Sequence, residues 1–234
     1  MTLKSICLLP VAAVLAGGGF NFVRAATPLP VWYGESNTTR QGYEFTTASL
    51  TPAATILGNT YGTPMTTIIL GFGSDGWQNP AIPEQMSGVM ANGAWDLGAA
   101  GSITVECQVA ANPPPPGAYY HIDFEIYVVA YRDIMPLPTF DSLGLTPHDL
   151  TFTQTTVAQD PVYSSASWEG LMWTGSFDQV TTNNIGFAVR PPVNNTSIID
   201  TLEVFTRVTL IPEPSSIVLV ILPVVCWSLR RRRP

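Results

Sequence analysis

The chain has 234 residues, with 10 Lys or Arg against 17 Asp or Glu. Six of the basic residues (Lys4, Arg24 and Arg230 to Arg233) lie near the two ends, so the middle carries a net charge of about −12 or −13. Such an acidic surface repels phosphate backbones, which excludes nucleic-acid binding. Divalent cations or neutral polysaccharides fit this surface better. The length is typical of a single all-β domain.

The N-terminus has the three parts of a secretory signal peptide. Lys4 gives a charged start, an apolar run follows from Ile6 to Leu15, and small residues come next. Val23 and Ala25 fit the small-residue rule, so we expect signal peptidase to cleave after Ala25, with Ala26 as the neighbouring alternative. The sequence therefore predicts that residues 1–25 are removed on export.

The C-terminus carries a motif, an apolar run and a basic cluster in a fixed order. Pro212, Glu213 and Pro214 are followed by apolar residues from Ile217 to Leu229, and the basic cluster is Arg230, Arg231, Arg232 and Arg233. This order resembles the PEP-CTERM sorting signal. The resemblance covers residues 212–234. It implies processing by an exosortase, a membrane-embedded protease of bacteria that make extracellular polysaccharide.

Each part of residues 211–234 has a physical role. Proline fixes φ and favours extended backbone before it, so Pro212 and Pro214 are expected to present an extended, unpaired segment to a protease. The apolar run predicts a single transmembrane helix, and the arginines are expected to stay cytoplasmic. Thirteen apolar residues span only about 20 Å, short of a ~30 Å hydrocarbon core. A hydrophobic strand with a disordered basic tail is the alternative.

Residues 26–210 show short alternating apolar segments separated by Gly, Pro and Asn. This pattern is typical of an antiparallel two-sheet β-sandwich, and eight strands suggest a jelly-roll-like arrangement. The predicted strands lie near 43–50, 66–72, 102–110, 120–132, 149–158, 168–177, 184–190 and 198–210.

The strand near 120–132 places two different sets of side chains on its faces. The apolar set is predicted to face the core: Ile122, Phe124, Ile126, Val128 and Ala130. The opposite set is His121, Asp123, Glu125, Tyr127 and Tyr131. In the last strand Leu202, Val204, Val208 and Leu210 are predicted to face inward, and Glu203, Phe205 and Arg207 outward.

Asp123 and Glu125 are the best candidates for chemistry. Two residues apart on one strand face, their carboxylates are expected about 5–7 Å apart, and retaining glycosidases need about 5–5.5 Å. Some jelly-roll glucanases carry a Glu-x-Asp-x-x-Glu motif on such a strand, but His121 stands here in place of the first Glu. A solvated strand face is the default interpretation, and a sugar-binding or ion-binding face and catalysis are the alternatives.

Three further residue types offer weaker signals. Trp32 and Trp77 lie in Gly- and Asn-rich stretches and are candidates for exposed rings that stack on sugars, although core packing is expected for most tryptophans. Cys107 is predicted to be buried and inert. Asp75 lacks the repeated acids of a calcium loop, so Ca²⁺ is only a weak candidate and no other cofactor is indicated.

The sequence therefore favours a non-enzymatic surface or matrix protein. It is expected to be anchored transiently in the inner membrane and then to reach the cell surface or extracellular matrix. Its expected partners are signal peptidase, an exosortase-type protease and extracellular polysaccharide. A secreted carbohydrate-active enzyme on a jelly-roll scaffold is the alternative function.

Overall fold

The computed structural model describes residues 27–58, 61–79, 93–133, 136–160, 163–179 and 181–213. Several sequence predictions concern residues outside these ranges. They are the predicted signal peptide with its expected cleavage residues Val23, Ala25 and Ala26, the motif residue Pro214, the C-terminal apolar run, and Arg230 to Arg233. The described residues contain strands and turns and no helix. Among them there is accordingly no helical segment that could cross a membrane.

Twelve strands make up the described fold. In chain order they are β1 (Thr38–Glu44), β2 (Ile56–Leu57), β3 (Met65–Ile69), β4 (Gly76–Gln78), β5 (Ala94–Asp96), β6 (Ser102–Gln108), β7 (Ala118–Arg132), β8 (Thr139–Asp141), β9 (His148–Gln159), β10 (Ser167–Gln179), β11 (Asn184–Arg190) and β12 (Ile198–Pro212).

The strands form two antiparallel sheets. The larger has the order β2-β1-β12-β7-β10-β9, and β5 joins it beside β12 and pairs in turn with β4. The smaller has the order β3-β6-β11-β8. The all-β prediction with two antiparallel sheets is therefore confirmed.

All eight predicted strands have a counterpart, but the first is displaced. It was expected near 43–50, whereas β1 ends at Glu44. The first half of β1 was not predicted, because its inward residues Thr39 and Gln41 are polar and yet fully buried. β2, β4, β5 and β8 were missed, since two or three residues are too few to show alternation.

The main core lies between the two sheets. All five residues predicted to face inward from β7 are at most 1% exposed. Phe124 stacks on Phe177 of its own sheet at 4.6 Å and contacts Phe187 of the smaller sheet at 5.5 Å. Cys107 is buried in this core, as predicted, and desolvation raises the pKa of its thiol to about 12.

The outer face of the larger sheet is more buried than the alternation predicted. Tyr127 packs with Ala94, Val129 and Trp168 in a second apolar cluster, so the expectation that it is solvated was wrong. Glu203 and Phe205 do point outward from β12, but they are fully buried beneath residues 27–37. Alternation identifies a face and does not reveal what covers it.

The end of β12 also differs from the sequence prediction. Leu210 was expected to face the core but is half exposed, because β12 continues beyond its pairing with β1. Pro212 pairs with Ala118 at the start of β7, and the Glu213 amide donates a hydrogen bond to the Gly117 carbonyl at 2.9 Å. The first two motif residues are thus extended but not unpaired, because β7 supplies a neighbouring strand.

Candidate functional site

Residues 27–37, the N-terminal segment, lie against the outer face of β12. The Thr27 hydroxyl donates a hydrogen bond to the Glu203 carboxylate. The Tyr33 ring meets the Phe205 ring edge-on, with the centroids 5.7 Å apart. These contacts fix the segment at the level of the sheet where β12 pairs with Asp123 and Glu125 of β7.

Arg207 links the N-terminal segment to β7. Its Nε and Nη2 each lie 2.9 Å from Asp123 Oδ2, and its Nη1 lies 3.1 Å from Glu35 Oε2. Its Cζ is 5.5 Å from the centroid of the Trp32 ring. The hydrogen bond to Asp123 is the main reason that the pKa of Arg207 is raised. Trp32 is thereby held beside the predicted carboxylate pair.

An open groove of about 340 Å³ lies beside this link, and we call it the carboxylate groove. Pockets for small ligands usually measure 300–1,000 Å³. It is lined by two aromatic residues, one histidine, three carboxylates, two hydroxyl side chains and one glycine: Trp32, His121, Asp123, Phe124, Glu125, Asp149, Thr174, Gly175 and Ser176. Trp32, Asp123 and Glu125, which were singled out in the sequence, are therefore brought together.

Glu125 is the most buried of the three carboxylates in the groove. Its exposed fraction is 9%. Within the described ranges no hydrogen bond or ion pair reaches it, and desolvation raises the pKa of its carboxyl. Asp123, by contrast, is bound by Arg207. The two carboxylates therefore have different environments, as is common where acidic groups bind ligands or transfer protons.

Both histidines of the chain lie close to Asp178 at one end of the carboxylate groove. His121 Nδ1 is 2.8 Å from Asp178 Oδ1, and His148 Nε2 is 3.9 Å from Asp178 Oδ2. His121 Nε2 is also 3.6 Å from Asp123 Oδ1. Even so, no group of three His, Cys, Asp or Glu residues in the described part of the chain is arranged to hold a metal ion.

Two other candidates from the sequence lie elsewhere. Trp77 packs against the main core and donates a hydrogen bond from Nε1 to the Phe45 carbonyl at 2.9 Å, and it does not line the carboxylate groove. Tyr127 belongs to the second apolar cluster. Trp95, Trp168 and Trp173 are buried, which confirms their predicted core packing. Asp75 is exposed, with its backbone N–H bonded to Asp96 Oδ2.

The contribution of β10 to the groove was not predicted from the sequence. Thr174 and Ser176 line it, and they pair with Glu125 and Asp123. Asp178 pairs with His121 in the same register. The polar residues at every second position of this strand could have predicted that one face of β10 is polar. Asp149 follows the β8–β9 loop in a left-handed conformation (φ 51°), and no sequence pattern marked it.

A larger cleft of about 400 Å³ lies at another edge of the sandwich, between β8, β9 and β10. Its lining includes the rings of Phe140, Phe152 and Trp173 and contains no titratable side chain. Phe152 is half exposed and packs on Trp173 at 5.3 Å. This apolar cleft has surface for stacking but no group for polar recognition beyond Thr139 and Gln154.

The carboxylate groove combines the ring of Trp32 with several hydrogen-bond acceptors. The guanidinium of Arg207, which lies beside the groove, is already held by two carboxylates. Such a surface can stack on a ligand and accept hydrogen bonds from its hydroxyl or amino groups. In comparisons with models of known protein families, with curated proteins and with solved structures, the chain gives no significant match.

Proposed function

We propose that this protein is exported, processed by an exosortase-type system, and located at the cell surface or in the extracellular matrix, where it binds polysaccharide. Export and processing rest on the two terminal sequence signals. Binding rests on one observation, which is that Trp32, Asp123 and Glu125 line the same open groove.

The groove offers the two kinds of contact that a sugar ring uses. The indole of Trp32 provides a flat apolar surface, and the carboxylates of Asp123 and Glu125 accept hydrogen bonds from hydroxyl groups. Ser176 and Thr174 add hydroxyls on the neighbouring strand. The groove is open rather than enclosed, which suits a short stretch of a long polymer.

Binding is tested with the full-length chain in a mild detergent, by titration calorimetry against a panel of neutral, acidic and amino-sugar oligosaccharides. The proposal expects saturable binding to at least one of them, weakened by Trp32→Ala. If no member of the panel binds, polysaccharide recognition by this groove is wrong.

The terminal processing is tested separately by the intact mass of the protein from culture. Loss of residues 1–25 and cleavage near Pro214 are expected, with any attached glycan visible as added mass. Replacing Arg230 to Arg233 with neutral residues is expected to remove the orientation bias and prevent processing. A mass equal to that of the full chain contradicts this part of the proposal.

We also propose that the sandwich follows a jelly-roll-like path. The chain passes repeatedly between the sheets, and β1 pairs with the last strand, β12. The β9–β10 hairpin and the direct pairing of β3 with β6 depart from a regular alternation between sheets.

A secreted carbohydrate-active enzyme is the second candidate. The pKa of Glu125 is raised by desolvation, whereas the neighbouring Asp123 is bound by Arg207, and two carboxylates in such different environments can take different roles in catalysis. Hydrolysis of a polysaccharide that is abolished by Asp123→Asn or Glu125→Gln, with binding retained, favours the enzyme over the binding protein.

A further inference from the structure

Glu125 differs from the other buried carboxylates in the described part of the chain, because each of those has a partner. Glu203 is bound by Arg40 and Thr27, and Glu169 accepts hydrogen bonds from Gln154, Thr156 and Ser167. The other two are Asp96, which is bound by the Gly98 amide, and Asp160, which is bound by Tyr131. Glu125 has no such group, and burying a carboxylate without one is costly.

The surroundings of Glu125 determine which ligand would satisfy it. Asp123 and Asp149 line the same groove, and Arg207 is already held by Asp123 and Glu35. An acidic ligand would meet three carboxylates and no free lysine or arginine among the lining residues, so it is disfavoured. A ligand that brings a positive charge to Glu125 is favoured.

A divalent cation fits this position poorly. Calcium takes six to eight oxygen ligands, and no group of three metal-binding side chains is found among the described residues. An ammonium group needs only three acceptors, which carboxylate and hydroxyl oxygens can supply. Glu125 lies beside Asp123 on β7 and opposite Thr174 on β10, so such acceptors are present.

We propose that the carboxylate groove binds a polysaccharide whose sugar units carry protonated amino groups, with the ammonium paired to Glu125. This inference rests on the proposed polysaccharide binding and names its ligand class. The ring of Trp32 supports the sugar, and the hydroxyls of Ser176 and Thr174 complete the polar contacts. The ligand thus supplies the partner that Glu125 lacks within the described chain.

The test compares three oligosaccharides of equal length with the full-length chain at about pH 6, where amines are protonated. They are a glucosamine oligomer, its fully N-acetylated counterpart and an oligogalacturonate. The glucosamine oligomer is expected to bind about tenfold more tightly than the acetylated one, since its ammonium forms an ion pair with Glu125 and the uncharged acetamide does not. The oligogalacturonate is expected to bind most weakly.

Two variants separate recognition at Glu125 from general attraction to an acidic protein. Glu125→Gln is expected to remove the preference for the amine, so that the glucosamine oligomer and its acetylated counterpart bind with similar affinity. Glu106→Gln removes an exposed carboxylate from the smaller sheet and is expected to change neither affinity. Equal binding of the two matched oligomers, or a preference that survives Glu125→Gln, overturns the inference while leaving polysaccharide binding intact. Absence of binding to all three overturns both.

Discussion

Trp32 lies over the guanidinium of Arg207, whose Cζ is 5.5 Å from the centroid of the indole ring. The same guanidinium is bound by Asp123 of β7 and by Glu35 of the N-terminal segment. The position of the ring in the groove therefore depends on one side chain of β12. This dependence can be tested.

Arg207→Gln is expected to loosen the N-terminal segment without unfolding the sandwich. Hydrogen exchange of the amides in residues 28–37 should become faster, while the amides of β7 and β10 keep their protection. The free energy of unfolding should fall by no more than about 1 kcal/mol, because the ion pairs are partly exposed. Arg190→Gln removes a similar ion pair, with Asp141 of the smaller sheet, and should leave residues 28–37 unchanged. Equal exchange in both variants contradicts the proposed role of Arg207.

Trp32→Ala and Phe152→Ala distinguish the carboxylate groove from the apolar cleft. Trp32→Ala is expected to weaken oligosaccharide binding by about tenfold or more, as truncation of a central tryptophan commonly does. Phe152→Ala should leave the affinity unchanged, because Phe152 lines the other cleft. Calorimetric titration measures the oligosaccharide affinity of both variants. The opposite result would place the sugar site in the apolar cleft.

Glu125→Gln is expected to stabilise the protein at neutral pH. The pKa of Glu125 is raised on folding, so the ionised carboxyl destabilises the folded state as pH rises through that raised value. Below the ordinary pKa of glutamate, about 4.3, the group is neutral in both states and the advantage of Gln should disappear. Urea unfolding at several pH values measures this, with a gain of order 1 kcal/mol expected near pH 7. A destabilised variant at neutral pH would falsify the assignment of Glu125 as an unpaired carboxylate.

Cys107 is expected to be unreactive in the folded protein. Burial raises the pKa of its thiol to about 12, so almost no thiolate is present near pH 8. In a chain with Cys7 and Cys226 replaced by serine, labelling by a thiol reagent should therefore follow the unfolded fraction as urea is added. The folded pKa lies above the ordinary value of 9.0, so the contribution of this thiol to stability is complete below about pH 9 and is lost as pH rises toward 12. Rapid labelling of the folded protein would contradict its burial.

Sequence periodicity predicted the long strands because their inward residues alternate without a break. Ile122, Phe124 and Ile126 are the clearest example, and all three are buried. It failed for β1, where Thr39 and Gln41 are buried polar residues, and for strands of two or three residues. Alternation reports which face a side chain occupies, and only tertiary packing determines whether that face is covered.

Only part of the carboxylate groove could be predicted from the sequence. Asp123 and Glu125 could be paired because they are neighbours on one strand, and Trp32 was proposed from its loop context. The partners on other strands depend on register, which no local pattern contains. Thr174 and Ser176 are about 50 residues from Asp123 along the chain and become neighbours only through the pairing of β7 with β10. Arg207 reaches Asp123 in the same way through β12.

The pairing of Pro212 with Ala118 has a consequence for the proposed membrane-anchored form of the protein. Only Glu213, Pro214, Ser215 and Ser216 separate the end of the sheet from the predicted membrane helix at Ile217, and four residues span at most about 14 Å. On β7 the groove residue Asp123 is five residues from Ala118, or about 17 Å. A tether this short would hold the binding face close to the lipid headgroups, where a long polymer has little room. Cleavage of the anchor would then give the groove access to polymer farther from the cell, in addition to releasing the chain.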